Sequence, residues 1–356
     1  MRPVRLALAG AGYRAGMHLR VAARLPELFE VSGVLARGPA AVQRVAPFGV
    51  RVHDGLEDLL ADRPDVVVTA LPAGENERLV AEAVAAGAHV LSETPPAADL
   101  DGLRRLWDAV GASGRVHVAE QYPSVPFNAA RRALVERGLL GEVTSVQVSS
   151  TQHHHAAALV RDLLGRPTGP VEVRAVELTA PLADPVGRAG WSGDATPRPL
   201  ATTIAVLDLG DGRHGLYDFT ETQTRNPLRA RRTVVRGTLG EVVDERVVRL
   251  VDPRTVVESA LVRRQTGWHQ DVEGFALQHV SLDGEVLWRN PFAPARLNDE
   301  EVAVATVLRS AGEHARGGGP GPYPLAQGAQ DHLLGLAIRE AAATGRPVRT
   351  AREAWS

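Results

Sequence analysis

The opening 35 residues constrain the fold of this chain more than any other stretch. Val4 to Ala9 is an apolar run of strand length, and it leads directly into Gly10-Ala11-Gly12-Tyr13-Arg14-Ala15, a G-x-G-x-x-A sequence. Met17, Val21 and Leu25 then recur four residues apart, the spacing of one helix face. A second apolar run, Phe29 to Leu35, completes a strand–turn–helix–strand unit. In such a unit the first glycine makes the tight turn and the second lets the backbone approach a pyrophosphate. The small third residue lets helix and strand pack closely. Unpaired N–H groups and the dipole at the helix N-terminus favour that anion. Glycine triplets also occur in ordinary turns. Placement between a strand and a helix, with a second strand behind, is what points to a dinucleotide.

The alternation continues. Pro39 suits the first turn of a helix reaching about Phe48, and Val50 to Val52 reads as a short strand. Asp54 and Glu57 have the spacing of a capping box for a helix ending before Pro64. Asp65–Leu71, His89–Leu91 and Arg115–Ala119 read as strands, with helices over Glu75–Ala86 and Asp99–Ala112 between them. This pattern predicts a parallel sheet covered on both faces, with ligands beyond the carboxyl ends of its strands. It changes near Tyr122-Pro123. Helices are predicted over Phe127–Arg137 and His153–Leu164, with a strand over Glu142–Ser150. Further strands are predicted at Val171–Thr179, Thr202–Leu209, His214–Thr220, Thr233–Thr238 and Val242–Leu250. Asp211-Gly212 and Asp283-Gly284 mark hairpins. Helices over Asp299–Ala315 and Ala326–Ala343 close the chain. The fold class is therefore α/β: a Rossmann domain over 1–122, then a domain with a large, mostly antiparallel sheet over 123–356. A length of 356 residues suits two domains.

Composition excludes several roles. A net charge of −2 argues against nucleic acid or an anionic membrane as partner, and no apolar run is long enough to span a bilayer. The chain enters its first strand without a signal-peptide pattern, so a cytoplasmic location is expected. There is no cysteine, which removes disulfides, thiolate ligands and cysteine nucleophiles. There is also no lysine; all 40 basic residues are arginine. No chemical step can use a lysine amine.

Several residues are candidates for a site. The second strand ends Leu35-Ala36-Arg37-Gly38, without the acid that would bond a ribose 2′-hydroxyl. Arg37 instead offers a planar fork suited to a 2′-phosphate, which favours NADP over NAD. Its structural alternative is a solvated arginine. Ser92-Glu93-Thr94-Pro95-Pro96 follows the fifth strand at the carboxyl edge, where a nicotinamide would sit. His153-His154-His155 is the most conspicuous cluster, but consecutive side chains diverge on a helix or a strand, so the three cannot ligate one metal. No metal is expected. One of these histidines is better placed as a general acid or base. Glu120 and Tyr122 leave the sixth strand at the same edge, either lining the cleft or packing the domain junction.

Together these features resemble the glucose–fructose oxidoreductase, inositol dehydrogenase and rhizopine catabolism (Gfo/Idh/MocA) family of two-domain oxidoreductases. The resemblance covers almost the whole length. It is carried by the glycine turn, Leu71-Pro72 with Asn76, the segment Ala86 to Pro95, the segment Arg137 to Val143, and Gly345-Arg346-Pro347-Val348. It implies cofactor contacts from Gly10, Gly12, Tyr13, Arg14, Ala15, Arg37, Leu71, Pro72, Asn76, Glu93 and Thr94. It also implies a second-domain sheet that often serves in homodimers or homotetramers. The implied activity is NAD(P)-dependent oxidation or reduction at a hydroxyl or keto group of a sugar, cyclitol or related ring. Two family residues are replaced. The lysine of the Glu-Lys-Pro motif is Thr94 here, and in the Asp-x-x-x-His motif the histidine falls on His155 and the aspartate on Thr151. His155 is then the expected acid–base, with Tyr122 or Glu120 relaying the proton and Thr94 orienting the hydroxyl. The alternative keeps the cofactor without net redox turnover, as a lyase, an epimerase or a silent binding or partner subunit.

Overall fold

The computed structural model describes residues 2–187, 189–266, 274 and 276–356. Its first sheet is wholly parallel and comprises β1 (Val4–Ala9), β2 (Phe29–Leu35), β3 (Val52–His53), β4 (Val66–Thr69), β5 (Val90–Ser92) and β6 (Val116–Val118). The strand order is β3-β2-β1-β4-β5-β6. This places the topological switch point between β1 and β4, where a dinucleotide crosses the strand ends. Central strands of such a sheet are buried on both faces, which is why Leu6 to Ala9 and Val66 to Val68 are continuous apolar runs.

Five helices accompany these strands: α1 (Tyr13–Arg24), α2 (Pro39–Val45), α3 (Leu56–Ala61), α4 (Ala73–Ala85) and α5 (Leu100–Val110). Pro39 opens α2 as expected. The capping box expected at Asp54 does not form. Gly55 is the N-cap of α3 and no side chain caps it, because the helix starts one residue late and Glu57 falls too early to reach back.

The second domain contains α6 (Pro126–Glu136), β7 (Val143–Val148), α7 (His153–Leu163) and β8 (Glu172–Leu182). A small pair, β9 (Val186–Gly187) and β10 (Gly190–Trp191), precedes β11 (Arg198–Gly210) and β12 (Arg213–Thr220). Then come β13 (Thr233–Gly237), β14 (Gly240–Val243), β15 (Arg246–Asp252) and β16 (Thr255–Ala260). A separate three-stranded sheet, β17 (Val262–Thr266), β18 (Ala276–Leu282) and β19 (Glu285–Arg289), leads to α8 (Asp299–Ala315), α9 (Leu325–Thr344) and β20 (Val348–Arg349). The large sheet runs β16-β15-β14-β13-β7-β12-β11-β8-β20, and only its β7–β12 pairing is parallel. Asp211-Gly212 and Asp283-Gly284 both take positive φ at the two turn positions, the geometry that matches strand twist in a tight hairpin. One expected strand is two. Val242–Leu250 breaks at Asp244, which has φ +55°, and whose carboxylate accepts the Thr233 N–H at 2.8 Å.

Helices α6, α7 and α9 cover one face of this sheet, packing Leu134, Leu159, Val160, Leu334 and Ile338 onto Val146, Val148, Leu207 and Val235. Each such fully buried side chain contributes roughly 1.5–3 kcal/mol. Helix α8 returns to the first sheet. Val302, Val304, Val307 and Leu308 pack with Leu6, Leu8 and Met17 in the first core. A capping box of Asn298 and Glu301 fixes the start of α8 and so brings Glu300 to the strand ends of the first sheet. Among the described residues, no helix is long and apolar enough to cross a membrane.

Candidate active site

The site is assembled where β1, β4, β5 and β6 end. Gly10 has φ +115°, and a Cβ there would lie 2.3 Å from the Ala70 carbonyl oxygen, so the turn after β1 can close on β4 only with glycine. Gly12 is different. Its backbone is ordinary extended chain at the N-cap of α1, and a Cβ would meet no protein atom within 4 Å. The space above it is open cleft, the cradle a pyrophosphate requires at a helix N-terminus. Arg44 donates to the Ala11 carbonyl at 2.9 Å across the outside of this turn.

Arg37 lies at the end of β2, exposed, with Nε 3.5 Å from the Asp54 carbonyl. Asn76 does not face the cleft. It is buried in α4 and donates to Ser92 Oγ at 2.8 Å and to the Pro96 carbonyl at 3.1 Å, so it braces the turn that carries Glu93 and Thr94.

Glu93 is the electrostatic centre of the near wall. Its Oε1 accepts from Arg14 Nε at 2.9 Å and lies 2.7 Å from His18 Nε2, while Oε2 accepts the Thr94 N–H. Burial opposes its ionisation, but the Arg14 and His18 contacts prevail and hold the carboxyl down at about 2. Arg14 also donates to Gln121 Oε1 and to Glu300 Oε1. Burial acts against its charge as well, and Glu93 and Glu300 outweigh it, keeping the guanidinium above its ordinary value. One arginine thus ties α1, β5, β6 and α8 together.

The far wall comes from α7. His153 and His155 point to different places, while the His154 and His155 rings lie 4.1 Å apart. His153 turns to Tyr217, its ring 5.9 Å away, and His154 packs against His332 at 5.7 Å. Only His155 reaches the cleft. Its Nδ1 lies 2.6 Å from Glu120 Oε2, and its ring sits between Tyr122 at 4.6 Å and His154 at 4.1 Å. Glu120 is buried and its other oxygen accepts the Tyr122 N–H at 3.1 Å. A carboxylate on Nδ1 fixes the tautomer and ring orientation and leaves Nε2 for a ligand. Burial raises the Tyr122 hydroxyl above its ordinary value, with the Thr151 hydroxyl pulling the other way.

These groups share one cleft of about 790 Å³, lined by Gly12, Tyr13, Arg14, Leu71, Glu93, Thr94, Tyr122, Thr151 and His155, with Gln121, Gln152, Thr224, Arg225 and Glu300. Of the sequence candidates, Ala15 is buried in α1 and Pro72 caps α4. The sequence reading missed His18, Gln121, Thr224, Arg225 and Glu300. His18 was findable, since it stands one helical turn after Arg14. Glu300 is 286 residues from Arg14, and no local pattern links them. Among the described residues, no group of three His, Cys, Asp or Glu side chains converges on a metal position.

The parallel sheet and its glycine turn have the layout of a dinucleotide-binding fold, followed by a region built on a large, mostly antiparallel sheet. Residues 4–121 match the sequence model described as oxidoreductase family, NAD-binding Rossmann fold, Gfo/Idh/MocA. The match is confined to the N-terminal third of the chain, which is similar to the NAD-binding domain of that family. An uncharacterized oxidoreductase of Schizosaccharomyces pombe is 30% identical over 155 residues, covering 41% of this chain and 42% of that relative. A levoglucosan dehydrogenase solved in complex with NADH and L-sorbose superposes with a TM-score of 0.72 at 20% identity, covering 99% of this chain and 100% of that one. A myo-inositol dehydrogenase from Corynebacterium glutamicum gives 0.66 at 18% identity, with coverage of 99% and 100%. At these identities the structural likeness concerns the fold.

Proposed function

We propose that the protein is an NAD(P)-dependent oxidoreductase acting on a hydroxyl or keto group of a sugar, cyclitol or related ring, with His155 as its acid–base. The observation that carries this reading is the His155–Glu120 pair at 2.6 Å, opposite the glycine turn in one cleft. A nicotinamide held in the cleft would supply or accept the hydride. His155 Nε2 takes the hydroxyl proton as the alcohol carbon is oxidised and returns it in the reverse direction. Buried Glu120 stabilises the imidazolium that forms. Thr94 cannot act as a base and instead orients the hydroxyl by hydrogen bonding. Glu93, Arg14 and His18 hold the turn on which Thr94 stands. Gly10 and Gly12 shape the pyrophosphate cradle, with Tyr13 and Leu71 beside it.

NADP is the preferred cofactor on this reading. Arg37 would meet the 2′-phosphate, and Arg44, which donates to the Ala11 carbonyl of the glycine turn, would add a second guanidinium there. The NAD and NADH complexes among the structural neighbours make NAD the alternative. A homo-oligomer is proposed from the outer face of the large sheet, where Val176 and Ile204 are cross-strand partners and Leu178 and Val206 flank them, all exposed. The test is purified protein with NADPH or NADH and a panel of sugars and cyclitols, followed at the nicotinamide absorbance band. Turnover supports the reading. The threonines at positions 94 and 151 favour one rival, a lyase, epimerase or silent subunit; cofactor bound but never turned over across the panel selects it.

A further inference from the structure

Beyond Tyr122 the cleft continues into a second chamber of about 410 Å³. The two spaces share Gln121, Tyr122 and Glu300. The chamber takes no residue from the glycine turn or from the ends of β1, β4 and β5, so it is not part of the dinucleotide cradle.

Its walls are organised before any ligand arrives. Arg131 is buried, donates to Asn128 Oδ1 at 2.7 Å, and holds the Asp244 carbonyl through Nε and Nη2 at 3.1 and 2.9 Å. Asn128 in turn donates to the Tyr122 carbonyl at 2.9 Å, linking the chamber wall to the residue beside His155. Phe127 is half-buried in the lining, with the Arg131 guanidinium 5.9 Å from its centroid.

The lining holds two arginines and four carboxylates, and arginines behind it pair two of those carboxylates. Arg131 and Arg231 stand with Asp244, Glu245, Asp299 and Glu300 in the lining. Asp299 is held bidentately by Arg263 at 2.6 Å, and Glu300 by Arg14 at 3.0 Å. Such a space selects neither an anion nor a cation. An aromatic plate surrounded by fixed donors and acceptors suits a neutral ring that is apolar on its faces and hydroxylated at its edge.

We infer that the substrate carries a second neutral carbohydrate ring, which the chamber beyond Tyr122 holds against Phe127 while the first ring reacts at His155. The inference rests on the oxidoreductase reading and narrows its substrate to disaccharides and glycosides.

The experiment compares kcat/KM for D-glucose and myo-inositol with that for maltose, cellobiose and lactose, in wild type, Phe127→Leu and Arg231→Ala. Phe127→Leu keeps apolar packing but removes the aromatic face, and Arg231 is exposed at the rim, so neither change threatens the fold. Wild type is expected to favour at least one disaccharide over its monosaccharide. Phe127→Leu should reduce that ratio about 3- to 10-fold, the range of an aromatic contact. Equal losses on one-ring and two-ring substrates, or no disaccharide preference in wild type, overturn the inference. If NADPH binds but neither kind of sugar turns over, the oxidoreductase reading fails separately. Calorimetric titration of the NADPH complex then decides the chamber. Disaccharide binding weakened 3- to 10-fold by Phe127→Leu supports it, and no disaccharide binding refutes it.

Discussion

Gly12→Val separates the folding role of the glycine turn from its binding role. Gly12 has φ −81°, which any residue adopts, and a new Cβ meets nothing within 4 Å. Restricting the unfolded chain stabilises by about 0.4–1 kcal/mol, while valine is a poorer helix N-cap than glycine by up to about 1 kcal/mol. These nearly cancel, so the melting temperature should stay within about 4 °C of wild type. The branched side chain would instead occupy the space where N–H groups meet the pyrophosphate. Losing one charge-assisted hydrogen bond costs about 1.5–3 kcal/mol, or about 10- to 150-fold in Kd. Gly10→Ala should behave in the opposite order. Its Cβ would strike the Ala70 carbonyl at 2.3 Å with φ at +115°, so the melting temperature should fall first. Thermal melting and fluorescence titration with NADPH measure both variants. A folded Gly12→Val protein that binds NADPH like wild type would refute the assignment of the cofactor to this turn. A Gly12→Val protein that fails to fold would refute the reading of its surroundings as open space.

His155→Ala should lower turnover about 100- to 10,000-fold with little change in NADPH affinity, whereas His153→Ala should do much less because its ring faces Tyr217; comparable losses from both would indicate a structural role. Arg37→Asp should reverse a preference for NADPH over NADH that amounts to about 10- to 150-fold, and tighter binding of NADH by the wild type would sink the proposal. Glu93 has a depressed folded pKa of about 2 against an ordinary 4.5. Its stabilisation is therefore fully present above pH ~4.5 and lost as pH falls through ~2, an effect of about 3 kcal/mol. Denaturant unfolding across that window should be flatter for Glu93→Gln, and an unchanged slope would contradict the role given to Arg14 and His18. Leu178→Glu should convert the proposed homo-oligomer to a smaller species in sedimentation velocity, and an unaltered assembly would place the interface elsewhere.

The sequence by itself determined what local chemistry dictates. The strand–glycine turn–helix unit, the Pro39 helix start, the two Asp-Gly hairpins and the separation of His153 from His155 depend on neighbours within a few residues. Short-range patterns therefore exposed them. The replacement of the family lysine by Thr94 is equally a matter of reading one position. The tertiary structure decided where distant groups meet. Glu120 and His155 are 35 residues apart, and only the approach of α7 to the end of β6 makes them a pair. The break at Asp244 went unseen because Val242 to Leu250 is rich in strand-forming residues. Its turn is secured by the Thr233 N–H of a neighbouring strand rather than by local glycine. Helix α8 reads as a C-terminal element, yet its apolar face fits the first core, and its N-terminal carboxylate meets Arg14 across 286 residues. Hydrophobic burial does not discriminate by sequence distance, and buried charges must find partners wherever the packed chain brings them. That is why the site's electrostatics belonged to the folded molecule alone.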